Sequence, residues 1–128
     1  MAKVVKNRNI LFNEESICRV SSENLRIFEE QASVNDSRRF RYCLHEDTNT
    51  PVQEMINFWP PYTYFQPHSH PYYAETKLLI KGEMLVLLFD EGGNVENHFI
   101  MSAEKGCDIL RLKSGIIHTN ITLTDTIM

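Results

Sequence analysis

From Arg38 onward the sequence alternates short apolar segments with turn residues, and this spacing restricts the possible folds more than any other feature. The segments have strand composition and are separated by Gly, Pro, Asn and Asp. The predicted strands are residues 38–44, 52–58, 62–70, 76–80, 84–90, 96–102, 108–112 and 116–123. Residues 81–83, between the fourth and fifth of these strands, predict a hairpin turn. About eight short strands with turns every 8 to 12 residues predict an all-β sandwich or barrel, a class that includes jelly rolls.

The first third of the chain has a different pattern. Residues 10–12 are a candidate short strand, and residues 23–32 predict a helix capped by Ser21 or Ser22, with Leu25 and Phe28 on its apolar face. Asn35 begins a predicted turn. We therefore divide the chain into an N-terminal strand and helix extension, residues 1–37, and a barrel, residues 38–128.

Composition excludes several classes of protein. The net charge of −4 is spread along 128 residues, without the basic stripe of a nucleic-acid-binding protein. No segment approaches the roughly 20 apolar residues of a membrane helix, and the N-terminus lacks the apolar stretch of a secretory signal. Three widely spaced cysteines predict free thiols rather than disulfides. We expect a cytoplasmic protein with no nucleic-acid or membrane partner.

The segment around residues 67–75 carries candidate metal ligands. On a strand, His68 and His70 would point to the same face. Pro71 should end that strand, and a turn would bring Glu75 back on the neighbouring antiparallel strand. Two imidazoles and one carboxylate would then form a credible transition-metal site. His118 follows a predicted turn and is a possible fourth ligand, although spacing alone does not place it beside His68.

These residues resemble the two motifs of the cupin superfamily. The first motif, HxH followed by Glu after four intervening residues and by Gly after six more, is matched by His68, His70, Glu75 and Gly82. The second motif contains Gly-x-x-His, matched by Gly115 and His118. The longer context in residues 39–45, 67–70 and 86–90 is similar to the WbuC-type cupin metalloproteins, which are associated with bacterial surface-polysaccharide (O-antigen) gene clusters. The resemblance covers about residues 38–123.

The resemblance implies a small cupin jelly-roll barrel with a short N-terminal helix, holding one divalent metal ion through His68, His70, Glu75 and His118. Fe, Mn, Ni, Zn and Co all suit such donors, and an octahedral ion would keep two open positions. The sequence departs from the family pattern at Tyr62, Lys113 and Thr122, which replace a glycine, a proline and an asparagine. None of the three is a predicted ligand, but turns and pocket lining should differ.

Seven further residues are candidate substrate contacts. Arg39, Arg41 and His45 share a predicted strand face, which is either a solvated edge or a cationic pocket wall for an anionic small molecule. Strand alternation from His68 points Gln66 and Tyr64 inward, and it does the same for Tyr62, which is not one of the seven candidate contacts. Alternation from Glu75 points Lys77 inward, and alternation from His118 points Asn120 inward. The Lys77 ammonium would then lie either in water at the barrel mouth or beside a substrate anion that it holds. His98 is predicted to lie on the surface.

Three functions are consistent with this pattern, and no catalytic residue is assigned. The first is a metal-dependent enzyme, such as an isomerase, acting on a sugar-related or other oxygenated substrate. The second is a dioxygen-using oxygenase, and the third is a non-catalytic protein that binds a metal or small ligand. The resemblance also implies a homodimer. The chain ends ten residues after His118, so we expect a shortened barrel or cover from a partner chain.

Overall fold

The computed structural model describes residues 2–4 and 9–128, which form ten strands and one helix. These elements are β1 Ala2–Val4, β2 Ile10–Asn13, α1 Ser22–Val34, β3 Phe40–Cys43, β4 Met55–Trp59, β5 Glu75–Leu79, β6 Glu83–Phe89, β7 Val95–Ser102, β8 Asp108–Leu112, β9 Ile117–Thr122 and β10 Thr126–Ile127. The predicted all-β class with one short N-terminal helix is confirmed. No helix in the described part of the chain is long and apolar enough to cross a membrane.

The chain divides into two compact units, Met1–Trp59 and Pro60–Met128. In the first unit, β1 pairs with β2 antiparallel, β2 with β3 parallel, and β3 with β4 antiparallel. In the second unit, β5 pairs with β8, and β6 lies between β7 and β9, all antiparallel. The predicted division after residue 37 stays a prediction.

Helix α1 begins at the cap that the sequence predicts. The Ser21 hydroxyl accepts a hydrogen bond from the Asn24 backbone N–H, and the Asn24 side chain accepts one from the Ser21 backbone N–H. This reciprocal capping box satisfies two backbone donors that would otherwise have no partner in the first turn. The helix extends to Val34, two residues beyond the predicted range.

An aromatic cluster fills the first unit under helix α1, and we define it as Phe28, Phe40, Tyr42 and Phe58. Phe28 stacks on Phe40 and Tyr42 with ring centroids 5.4 and 4.6 Å apart, and meets Phe58 at an angle of 67°. Phe40 and Phe58 are each 2% exposed. Burial of such a side chain stabilises a fold by roughly 1.5–3 kcal/mol, so the cluster anchors the helix to the sheet.

The hairpin predicted at residues 81–83 is wrong. Strands β5 and β6, which flank Gly82, belong to different sheets. The backbone of Lys81 pairs with Ile127 instead, through N–H to O contacts of 3.2 and 3.1 Å. Gly82 has φ +93°, and a Cβ there would lie 2.3 Å from the Asp125 carbonyl oxygen, so only glycine fits where the chain crosses between sheets.

The strand predicted over residues 62–70 is also wrong. This segment forms only two isolated bridges, Tyr64 with Ile121 and His68 with His118. Pro67 and Pro71 have no N–H for a ladder, and Tyr62 has φ +62°, outside the strand region. The segment therefore follows β9 as an irregular chain rather than as a regular strand. The short strand β10 is absent from the sequence predictions.

Candidate metal centre

Four predicted ligands meet in the second unit. Ligand atoms of His68, His70, Glu75 and His118 all lie within 4.8 Å of one another. His68 and His118 are bridge partners, and each backbone N–H donates to the carbonyl of the other, at 3.0 and 2.9 Å. Glu75 is the first residue of β5. The group converges through this bridge and through the start of β5, and not through the hairpin return predicted for Glu75.

Main-chain oxygens orient two of the imidazoles. Nδ1 of His68 donates to the Gln66 carbonyl, and Nδ1 of His118 donates to the Ile116 carbonyl, both at 2.9 Å. A carbonyl only accepts, so each Nδ1 carries a proton, and in the neutral imidazole Nε2 is then the nitrogen with the lone pair. That tautomer is the one a metal ligand needs, and such orientation by the opposite ring nitrogen is usual at metal sites.

The third imidazole is held by an aromatic ring that the sequence predictions missed. The rings of His70 and Tyr73 stack with centroids 4.8 Å apart and planes inclined by 24°. Tyr73 lies in the loop between the HxH segment and Glu75, and that position is the only signal the sequence offers. The stacking fixes the plane of the His70 ring beside the other ligands.

The ligand atoms face one another without hydrogen bonds. Glu75 Oε2 lies 3.0 Å from His70 Nε2 and 3.2 Å from His118 Nε2. Within the described residues, Glu75 Oε2 and His118 Nε2 are buried and have no hydrogen-bond partner. Leaving a buried polar atom unsatisfied costs about 1–3 kcal/mol. A cation accepting these lone pairs would remove that cost, so the residues fit a divalent metal ion.

Glu75 is held in its charged form. Burial raises the pKa of its carboxyl, but the His118 imidazole and the Lys77 ammonium together outweigh burial and lower the pKa to about 2. Lys77 Nζ donates to Glu75 Oε1 at 2.7 Å, and the Lys77 side chain is only 6% exposed. The interpretation that places the Lys77 ammonium in water is therefore wrong.

Three of the predicted inward residues are exposed. Tyr64 is 55% exposed, Gln66 is exposed, and Tyr62 is 77% exposed. Strand alternation does not apply, because the segment is not a regular strand, and Thr63 is buried instead. The predicted inward position of Asn120 matches its 2% exposure.

The predicted stripe of Arg39, Arg41 and His45 belongs to the first unit. Arg41 Nε donates to Asn57 Oδ1 at 2.8 Å. His45 is 6% exposed, with Nδ1 2.9 Å from the Glu54 carbonyl, and Arg39 is exposed just outside β3. A role for these three residues in substrate binding stays a prediction. His98 lies exposed on β7, as predicted.

Solved structures with a similar fold share little sequence with this chain. The conserved SPY1581 protein of unknown function from Streptococcus pyogenes has a TM-score of 0.61 at 10% identity, over 91% of this chain and 87% of its own. An oxalate oxidase has a TM-score of 0.55 at 20% identity, over 74% and 50%. The capsular polysaccharide assembling protein CapF from Staphylococcus aureus has a TM-score of 0.52 at 18% identity, over 59% and 21%.

These likenesses establish the fold alone. The chain spans about a fifth of the CapF chain and half of the oxalate oxidase chain. Together with the strand content, the neighbours show that the chain has a small cupin fold, as predicted. No curated protein matches the sequence.

One family of sequences matches most of the chain. The match covers residues 20–101, which include helix α1 and three of the four candidate ligands, His68, His70 and Glu75. The fourth, His118, lies beyond the matched range. The chain belongs to the family described as Domain of unknown function (DUF6016).

Proposed function

We propose that this cupin binds one divalent transition-metal ion through His68, His70, Glu75 and His118 and acts on a small oxygenated or sugar-related substrate. The observation that carries the proposal is the pair of buried, unsatisfied ligand atoms, Glu75 Oε2 and His118 Nε2. Three imidazoles and one carboxylate, without thiolate, are typical of a reactive metal centre rather than a closed structural zinc site.

The chain's own residues would prepare the centre for chemistry. A bound ion would supply Lewis acidity that polarises a carbonyl or hydroxyl of the substrate. The Gln66 and Ile116 carbonyls hold the His68 and His118 rings in the ligand tautomer. Lys77 keeps Glu75 ionised, and Tyr73 holds His70 in plane. Tyr64, exposed to solvent beside the bridge to Ile121, is our candidate for exchanging protons with water.

We further propose a WbuC-like role in bacterial surface-polysaccharide metabolism in the cytoplasm. The motif spacing supports the resemblance, and CapF, described as a capsular polysaccharide assembling protein, has a similar fold. Cys18, Cys43 and Cys107 are free, which suits a reducing compartment.

A non-catalytic binding protein is the second candidate. Among the described residues of the predicted site, Tyr64 and Gln66 are exposed and Lys77 is ion-paired with Glu75, so none stands ready as a buried general base. A protein that only binds a metal and a small ligand would need no such base.

The proposal is tested by metal content and turnover. Protein purified without chelator should contain about one equivalent of metal by mass spectrometry. Protein stripped of metal with a chelator should take up one equivalent again when metal is added. Nucleotide-sugars incubated with loaded protein under nitrogen should be converted if the Lewis-acid function is correct. Oxygen uptake with iron would instead indicate the oxygenase, and ligand binding without either reaction would indicate the binding protein. Absence of metal uptake at neutral pH would refute all three.

We also propose a homodimer. Leu78 and Ile109 are cross-strand partners on one face of β5 and β8, and they are 42% and 64% exposed. Adjacent exposed apolar side chains of this kind favour association. Light scattering should give about twice the chain mass of 15.0 kDa, and replacement of Ile109 by Lys should return the mass to that of the monomer.

A further inference from the structure

We call the four candidate ligands, His68, His70, Glu75 and His118, the ligand group. Two other buried polar side chains of the second unit lie next to ligands along the strands. Lys77 follows Glu75 by two residues in β5, and Asn120 follows His118 by two residues in β9. Alternate residues of a strand share a face and are about 7 Å apart. Both side chains therefore extend from the same face as a ligand, one position further along.

Burial shows that this direction leads into the interior. Along β5 the exposure falls from 28% at the Glu75 side chain to 6% at Lys77 and 0% at Leu79. Along β9 it stays at 1–2% from His118 to Asn120 and is 0% at Thr122. Lys77 and Asn120 are each one strand position further into the interior than a ligand, and we call these two residues the polar layer.

This polar layer has donors without acceptors. Asn120 Nδ2 is buried and has no hydrogen-bond partner within the described residues. The contact with Glu75 Oε1 uses one of the three N–H groups of Lys77 Nζ. A buried amide donor without a partner is uncommon in native proteins and calls for an explanation such as an unseen ligand or water.

We propose that Lys77 and Asn120 form a subsite for the carboxylate group of a small ligand that also reaches the metal position. This inference rests on the proposed function. The subsite offers N–H donors and one positive charge, which together select an oxygen that accepts and carries negative charge. The Lys77 charge is already shared with Glu75, which favours a monoanionic carboxylate over a doubly charged phosphate.

The apolar neighbours of Lys77 and Asn120 limit how many further polar atoms the ligand can carry. Leu110, the cross-strand partner of Lys77, and Val86, the cross-strand partner of Asn120, are apolar, and Val86 is 0% exposed. Cross-strand partners share a face, so these side chains flank the polar layer. A short ligand such as an α-hydroxy acid meets the two donors without placing further polar atoms against them.

The test uses the Co(II)-loaded protein, whose visible absorption reports ligand binding independently of activity. The probes are glycolate, its neutral analogue glycolamide, and inorganic phosphate. Glycolate should bind most tightly. N120A should weaken glycolate and glycolamide alike, by about tenfold, because both lose one hydrogen bond. K77M should abolish the preference for glycolate over glycolamide, and K77R should restore it. Lys105, exposed in the turn before β8, provides the matched control K105M, which should change nothing.

Each contrary result has a separate meaning. Unchanged glycolate affinity in N120A and K77M, with Co(II) bound, would overturn the subsite and leave the metal site standing. Tighter binding of phosphate than of glycolate, or no binding of any probe, would overturn the assignment to a carboxylate. Protein that takes up no Co(II) would refute the proposed function itself. Circular dichroism melts identify a variant that fails to fold, and K77R keeps the charge test possible if K77M is such a variant.

Discussion

The aromatic cluster of the first unit and the ligand group of the second are both partly buried, but they differ in what they still lack. The aromatic cluster consists of rings in mutual contact, and Phe28 alone packs against three others. The ligand group buries Glu75 Oε2 and His118 Nε2, which have no hydrogen-bond partner among the described residues. The cluster is complete as a packing unit, whereas the ligand group keeps two polar atoms that a bound cation would satisfy.

The difference separates residues that stabilise the fold from residues whose arrangement suits the binding of a metal ion. Apolar contacts are satisfied within the chain, and their loss should lower stability without changing metal binding. Buried lone pairs that face one another lower stability until a ligand satisfies them. If this comparison is correct, substitutions in the ligand group should lower metal affinity, and substitutions in the aromatic cluster should lower the free energy of unfolding without changing metal affinity.

The largest effect is expected at His118. H118A should lower metal affinity by more than 100-fold, because it removes a buried ligand whose tautomer is already fixed by the Ile116 carbonyl. Competition with a chromophoric chelator measures the affinity. H98A is the matched control, because His98 is exposed on β7, and it should leave affinity unchanged. Equal losses in both variants would contradict the comparison.

The converse effect is expected at Phe58, which is 2% exposed. F58A should lower the free energy of unfolding by about 3–5 kcal/mol, since it leaves a cavity beneath helix α1. Urea denaturation followed by Trp59 fluorescence measures this loss, and metal affinity should stay at the wild-type value. Y72A, at a side chain 93% exposed, should change stability by less than about 0.5 kcal/mol. A parallel loss of metal affinity in folded F58A would contradict the separation.

The aromatic cluster should also set the alkaline limit of stability. Burial, with a contribution from the Cys18 contact, raises the pKa of Tyr42 to about 12. The folded-state pKa lies above the unfolded value of about 10, so this stabilisation is full below pH 10 and disappears between pH 10 and 12. It amounts to something on the order of 2 kcal/mol. Absorbance at 295 nm should show one tyrosine titrating late, and Y42F should remove that phase. Titration of Tyr42 near pH 10, without a late phase, would show that the cluster is open to water.

The smallest effect is expected at the cap of helix α1. S21A removes the acceptor for the Asn24 backbone N–H and should cost about 1 kcal/mol. The shift in urea midpoint measures it. S22A, at an exposed residue within the first turn, should cost less. A larger loss in S22A would mean that the helix does not start as described.

Local chemistry explains which features were predictable from the sequence. The cap at Ser21 and the strand at residues 108–112 depend on neighbouring residues, and both occur as predicted. The ligand group was predictable only because motif spacing carries information about contacts between distant residues. The prediction of a strand over residues 62–70 was wrong because Pro67 and Pro71 outweigh the apolar content of the segment. The prediction of a hairpin at Gly82 was wrong because Lys81 pairs with distant Ile127. Long-range pairing of this kind leaves no local signal.

The orientation of the His68 and His118 rings by the carbonyls of Gln66 and Ile116 has an evolutionary consequence. Many metal proteins orient ligand histidines with carboxylate side chains, which a single codon change can delete. Here the acceptors are peptide oxygens that every amino acid carries. The surrounding residues can therefore diverge freely under selection for new substrates, while the two imidazoles retain the tautomer that coordination requires.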